Sequence, residues 1–278
     1  MEQQNRALTH PVALLVPAVA FVVVCFLAPV APLVVDSFRV GGGWGVANYI
    51  SFFGQPVHQE VFWRTLRIAA LTTVACAAIG YPAARAIVDS RPAYRGLIMG
   101  LLILPLMISP VARTYAWVIL LGRNGFINSL LVQSGVTSEP LRLLFTEGAV
   151  FIGLLQLLLP LMILPLVSAL ENLPRDVTAA ARTLGANDWQ IFWKVTLPLT
   201  REGLVIGGTL VFTGSLTAYI TPAMLGGPTV LMLETLLYQK VNVSPDYVAA
   251  SVIAVILVLS TLAANELLNR VAAWKVRT

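Results

Sequence analysis

Charge is scarce in this sequence. Only 11% of its 278 residues are Asp, Glu, Lys or Arg, while 58% are hydrophobic, and the mean hydropathy is +0.82. A soluble globular chain carries about 25% charged residues. Half that supply cannot coat a water-facing surface of this size, so a soluble globular protein is excluded. Disorder is excluded as well, because disordered chains have too little apolar surface to bury. Cysteine is nearly absent. Cys25 and Cys76 both lie in apolar runs, which argues for small hydrophobic side chains and against a disulfide framework or zinc site. The two histidines, His10 and His58, are far apart, so no ligand set for metal catalysis and no metal site is expected. No Gly-x-x-x-x-Gly-Lys-[Ser/Thr] occurs, so the chain cannot itself cradle nucleotide phosphates. No Ser-His-Asp or Cys-His arrangement is visible. No catalytic residue is assigned, and enzyme activity has no support.

Long apolar runs are what the chain does have. A bilayer core takes about 20 apolar residues of helix. Six stretches qualify: 11–35, about 66–88, 97–121, 148–170, 203–225 and about 248–268. Their apolar residues are continuous rather than alternating, which disfavours membrane strands. The fold class read here is an all-α membrane protein with six transmembrane helices in a single domain over 1–278. The first run is too long for the apolar part of a signal peptide and carries Pro17, Pro29 and Pro32; it is read as retained. Prolines recur in every run but the sixth, at Pro82, Pro105, Pro110, Pro160, Pro165 and Pro222. Each frees a backbone carbonyl that a neighbour or water must satisfy.

The basic residues orient these spans. With the N-terminus inside, eleven fall on the cytoplasmic side: Arg6, Arg85, Arg91, Arg95, Arg175, Arg182, Lys194, Arg201, Arg270, Lys275 and Arg277. Six fall outside, namely Arg39, Arg64, Arg67, Arg123, Arg142 and Lys240. Both termini are therefore expected inside. The acids divide seven to six, so the net charge of +5 sits almost wholly on the cytoplasmic face. That is an insertion signal facing anionic lipid rather than a nucleic-acid surface.

One loop differs from the rest. Residues 171–202, ENLPRDVTAAARTLGANDWQIFWKVTLPLTRE, have the composition of two short helices. Pro174 opens the first, RDVTAAARTL, and Gly185 can stop it in a left-handed conformation. Asn187 or Asp188 can cap the second, WQIFWKVTL, which Pro198 closes. By composition alone, this is an amphipathic helix pair at the membrane surface, anchored by Trp189 and Trp193.

The spacing says more. Ala180-Ala181, three residues, Gly185, nine residues, then Val195-Thr196-Leu197-Pro198 resembles the EAA loop of binding-protein-dependent ABC importer permeases. That pattern is Glu-Ala-Ala, three residues, Gly, nine residues, Ile, one residue, Leu-Pro. The Glu position falls at Ala179 here, so Arg175, Asp176, Arg182 or Asp188 would have to replace its contacts. The stretches 103–131, 157–176 and 220–232 resemble the spermidine/putrescine branch of the same family, and the resemblance runs from the first span to the sixth. It implies a type I importer fold in a bacterial inner membrane, N-in and C-in. It implies a second permease subunit, two copies of a cytoplasmic ATPase holding ATP and Mg, and a periplasmic solute-binding protein, with no cofactor on this chain. It also implies that the loop docks on the ATPase through Ala179, Ala180, Ala181, Arg182, Gly185, Asp188, Lys194, Leu197 and Pro198.

Candidates for the translocation path are Arg113 and Tyr115 in the third span and Ser215, Thr217, Tyr219 and Thr221 in the fifth. Arg113 is the only ionisable group deep in a span. Such a charge defaults to a functional site, but it can also be structural, bonding carbonyls freed by Pro105 and Pro110 or pairing with the second permease. The hydroxyls of the fifth span, which lines the path in the family, can equally make helix–helix hydrogen bonds. The acid that many polyamine-type relatives carry near Ala218 is missing, which keeps an opine, an aminophosphonate or another organic anion as alternative solutes. Gly96–Gly100 and Gly203–Gly207 are both spaced for close helix packing. The rival class is a secondary transporter or channel without an ATPase.

Overall fold

The structure is a computed structural model and describes residues 2–274; within them, the side chains of residues 2–14, Phe26, Arg175 and residues 271–274 are outside the description. Lys275 and Arg277, counted above on the inner face, lie outside the described residues.

The chain is almost entirely helical. Helix α1 (Glu2–Ser37) leads through a small antiparallel ribbon, β1 (Arg39–Val40) and β2 (Gly43–Trp44), in which Arg39 faces Trp44, to α2 (Ala47–Gly54) and α3 (Pro56–Asp89). Next come α4 (Pro92–Met107), α5 (Pro110–Leu121), α6 (Phe126–Gln133) and α7 (Glu147–Glu171). The loop after α7 holds α8 (Arg175–Thr183), α9 (Asp188–Ile191), a π turn over Phe192–Thr196 and α10 (Leu197–Leu199). Helix α11 (Arg201–Leu216), a second π turn (Pro222–Gly226), α12 (Leu233–Asn242) and α13 (Tyr247–Trp274) complete it. Among the described residues five helical stretches are long and apolar enough to cross a membrane, in α1, α3, α5 with α6 taken as one (Pro110–Gln133), α7 and α13, or six if the bent pair Asp188–Leu199 and Arg201–Leu216 is one span.

Two of the six runs are not single helices. The run 97–121 divides at Ile108–Ser109, where both residues are extended (ψ 137° and 129°). The cause is local: Pro110 disfavours the helical conformation in the residue before it. Helix α4 is then 16 residues, about 24 Å long at 1.5 Å per residue. The run 203–225 divides after Leu216, and residues 217–219 are not helical before the π turn at Pro222. Pro222 has no N–H for the carbonyl four residues back, that of Ala218. By contrast Pro82, Pro160 and Pro165 sit inside unbroken helices.

The chain divides into two compact units, residues 1–59 with 237–256 and residues 60–236 with 257–278. In the first, His58 is buried, stacked on Phe52 with ring centroids 4.5 Å apart, and its Nδ1 lies 3.2 Å from the Phe52 carbonyl oxygen. The second holds the main core, centred on α7: Val150, Leu154, Met162 and Leu166 are completely buried. Helix α11 lies against it along a seam of glycines. A Cβ on Gly203 would stand 2.6 Å from the Pro165 carbonyl oxygen, one on Gly207 2.8 Å from Met162 Sδ, and one on Gly214 2.9 Å from Leu158. In lipid, where apolar association gains little from water release, such close backbone approach is what binds helices. Gly96 and Gly100, spaced alike, meet nothing within 4 Å. Their close-packing role is not met among the described residues. Cys76 is buried as expected for a small hydrophobe, whereas Cys25 is exposed on α1.

Candidate functional site

The loop between α7 and α11 is built largely by backbone hydrogen bonds. At the end of α8 the Ala186 N–H bonds the Ala181 carbonyl at 3.1 Å and the Gly185 N–H bonds the Arg182 carbonyl at 3.0 Å. This pair of bonds is the Schellman arrangement, and it requires Gly185 at φ +81°. Asn187, rather than Asp188, is the cap of the second helix. Its side chain accepts the Gln190 N–H at 2.8 Å while the Gln190 side chain accepts the Asn187 N–H at 3.1 Å, a reciprocal capping box.

Pro198 does not close the second helix. The π turn shifts the bonding by one residue, with the Leu197 N–H reaching the Phe192 carbonyl. The missing N–H of Pro198 then falls in the first turn of α10, where it is tolerated. The helix runs on to Leu199 and bends by 68° into α11. Thr200 stands at the bend and is fully buried. Its hydroxyl donates to the Thr196 carbonyl at 2.8 Å and lies 2.7 Å from the Tyr81 hydroxyl of α3. The Tyr81 ring also meets Phe192 edge-on, centroids 5.2 Å apart. One residue of α3 thus holds the foot of the loop from two sides. The sequence reading missed Tyr81 and Thr200. The available signal was a hydroxyl in an apolar run, since a buried Tyr O–H needs a partner.

The outward face carries the residues assigned to docking. Ala179, Ala180, Arg182, Asp188 and Lys194 are exposed, Ala181, Leu197 and Pro198 are half-buried, and Leu184, Trp189 and Trp193 are exposed apolar side chains. Arg182 and Asp188 pair with each other across the turn at 3.2 Å. Both are well exposed, so the pair contributes little stability. Its effect is to add a side-chain tie between the two short helices.

Arg113 Nη1 donates to the Pro105 carbonyl at 2.8 Å. The guanidinium therefore caps the carboxyl end of α4 across the Ser109 break, where a cation also suits the helix dipole. Tyr115 and Thr217 are exposed, and the Thr217 hydroxyl donates to the Thr213 carbonyl at 3.0 Å. Tyr219 is half-buried. Ser215 and Thr221 are buried, and the Thr221 hydroxyl lies 3.3 Å from that of Thr114 on α5. The six candidates are thus not brought together on one face. Arg113 is tied to the end of α4 and Thr221 lies against Thr114 within α5, whereas Tyr115 and Thr217 are exposed.

A second charged cluster gathers at the opposite ends of α3 and α7. Arg64, largely buried, bonds Glu147 through Nε at 2.9 Å, the Leu231 carbonyl through Nη1 at 3.3 Å, and Glu60; Arg67 pairs with Glu147 as well. The Leu233 N–H adds a 2.9 Å bond to the Thr65 hydroxyl. Together they fasten residues 231–233 to α3. Close by in the chain, burial holds the Glu234 carboxyl above the usual carboxylate range.

Comparison with known proteins places these features. The family model described as "Binding-protein-dependent transport system inner membrane component" matches residues 76–274. The spermidine/putrescine transport system permease protein PotB of Haemophilus influenzae is 37% identical over 232 residues, covering 81% of each chain. The sulfate transport system permease protein CysW of Synechocystis is 29% identical over 259 residues, covering 91% of this chain and 90% of that one. Among solved structures, a bacterial ABC transporter involved in import of the acidic polysaccharide alginate superposes with a TM-score of 0.80 over 98% of this chain and 97% of that one, at 16% identity. That likeness carries the fold alone. With the family model covering well over half of the chain, this protein belongs to the inner-membrane components of binding-protein-dependent transport systems and is a multi-pass membrane permease subunit of an ABC importer.

Proposed function

We propose that the chain carries a polyamine, spermidine or putrescine, inward across a bacterial inner membrane. The observation that carries this reading is the 37% identity to the spermidine/putrescine permease PotB across four fifths of both chains. The solute arrives on a periplasmic binding protein and passes between this subunit and a second, different permease. The energy comes from two copies of a cytoplasmic ATPase that hold ATP and Mg. The loop of α8, α9 and α10 is the contact with that ATPase. Its exposed Leu184, Trp189 and Trp193 offer apolar area, and Ala179 and Ala180 let a partner surface approach the backbone. Both termini and the loop face the cytoplasm, following the eleven-to-six division of basic residues.

A second reading has its own support. CysW is a sulfate permease by name and matches over more of the chain, and no acid stands at Ala218. An anionic solute would suit both facts. The test is uptake of labelled spermidine, putrescine and sulfate by cells lacking their own importers and expressing this chain with its transporter partners. Saturable polyamine uptake that sulfate leaves unchanged is expected. Uptake of sulfate or an organic anion, with none of polyamine, would overturn the polyamine assignment and leave the permease assignment standing.

A further inference from the structure

A cavity of about 390 Å³ opens where α3 and α7 end, α4 begins and α8 sets out. That volume lies within the range of about 300–1,000 Å³ typical of small-ligand sites. Its polar wall consists of two ion pairs. Arg85 Nε lies 2.6 Å from Asp89 Oδ2, and Arg95 pairs with Glu171. Val88 and Leu170 supply apolar lining. All four charged side chains are partly exposed. The Arg85–Asp89 bond occupies only Nε and one carboxylate oxygen, so the terminal guanidinium nitrogens and the second oxygen are not used in it.

Depth in the membrane follows from the helices. Asp89 is the last residue of α3 and Glu171 the last of α7, and both helices are apolar enough to span. The cavity therefore lies where hydrocarbon gives way to lipid headgroups. Its charge pattern then selects among occupants. A simple anion gains from the guanidinium groups and is opposed by the carboxylates beside them; a simple cation meets the reverse. A zwitterion satisfies both. A phosphodiester takes the forked donors of arginine, and a primary ammonium has three N–H donors for Asp89 and Glu171.

We infer that this cavity holds the headgroup of a phosphoethanolamine lipid, its phosphate on Arg85 and Arg95, its ammonium on Asp89 and Glu171, and its glycerol end against Val88 and Leu170. Thr178 of α8 also lines the cavity, so the headgroup braces the first helix of the docking loop. The inference rests on the chain lying in a membrane and is independent of the solute it carries.

Native mass spectrometry of the purified protein, offered equal amounts of phosphatidylethanolamine, phosphatidylcholine and phosphatidylglycerol, tests it. Phosphatidylcholine has no ammonium N–H and phosphatidylglycerol no cation. Retention of phosphatidylethanolamine roughly tenfold above either is expected for charge-assisted bonds of this kind. The paired variant Arg85→Gln with Asp89→Asn keeps the net charge and should bring that preference close to parity. A measurement without any substitution stands beside it: soluble glycerophosphoethanolamine should displace the retained lipid, and glycerophosphocholine should not. Equal retention of the three lipids, or an unchanged preference in the variant, overturns the inference. So does binding of the soluble compound with no lipid retained, which would mark a site for a free metabolite. Loss of the lipid when the ATPase subunit binds overturns it too, by making the cavity a protein contact.

Discussion

The guanidinium of Arg113 gives an N–H to the Pro105 carbonyl, and the hydroxyl of Tyr81 meets that of Thr200. Both are polar groups inside apolar segments, and each is spent on a break in a helix. The sequence reading singled out Arg113 because a lone charge in a span is visible by inspection. It left a functional and a structural use open; the guanidinium bonds the Pro105 carbonyl, which the break before Pro110 puts within reach. Tyr81 gave no comparable signal, since its partner stands 119 residues away and no local spacing encodes that. Its test follows from its geometry. Tyr81→Phe removes the bond but leaves Thr200 its bond to the Thr196 carbonyl, so the stability cost should stay at about 0.5–1.5 kcal/mol. The chain should insert and express normally, with a small drop in the thermal midpoint. Solute uptake should fall more than the midpoint implies, because the foot of the loop loses its hydrogen bond to α3 and keeps only the ring contact with Phe192. Uptake equal to that of the wild type would show that this bond does not transmit force.

Elements divide by what their residues encode. Helices α3, α7 and α13 follow from continuous apolar runs, and each contains its expected span, 66–88, 148–170 and 248–268. The breaks in 97–121 and 203–225 were less legible, although their prolines were in plain view. Pro160 and Pro165 are of the same residue type and break nothing, because neighbouring helices decide whether a freed carbonyl finds a partner. The turn at Gly185 was legible, since its left-handed conformation is the reason a glycine stands there. The π turn at Phe192–Thr196 was not, as no composition marks a one-residue shift in bonding. Gly185→Val tests this element. A Cβ there meets nothing within 4 Å, so the penalty is purely conformational, about 1–3 kcal/mol. The variant should reach the membrane in normal amounts and fail to co-purify with the ATPase subunit. Full assembly and full uptake would reduce the loop to a surface anchor.

At the scale of the whole molecule, charge distribution and hydropathy were enough for the class, and the loop spacing for the family. The faces left uncovered are also informative. No residue of α4 is buried, and the Gly96–Gly100 seam is open, which suits a subunit that completes its packing against lipid or another chain. Orientation is a property of this scale, and single cysteines test it in a background without Cys25 and Cys76. Leu184, 87% exposed, offers a site in the loop between α7 and α11. An impermeant thiol reagent added to intact spheroplasts should label Ser138→Cys and spare Leu184→Cys until the membrane is opened. The reverse pattern would invert the proposed topology.

The Schellman bonds at Gly185 join backbone atoms that every amino acid carries. The shape of the turn is therefore indifferent to most of the letters around it, with Gly185 and Asn187 the exceptions. Substitution at 179–181 should leave these bonds in place, and the alanine at position 179 sits within a turn of this shape. The turn is thus marked by a left-handed glycine followed two residues later by a capping side chain rather than by an acidic residue at 179.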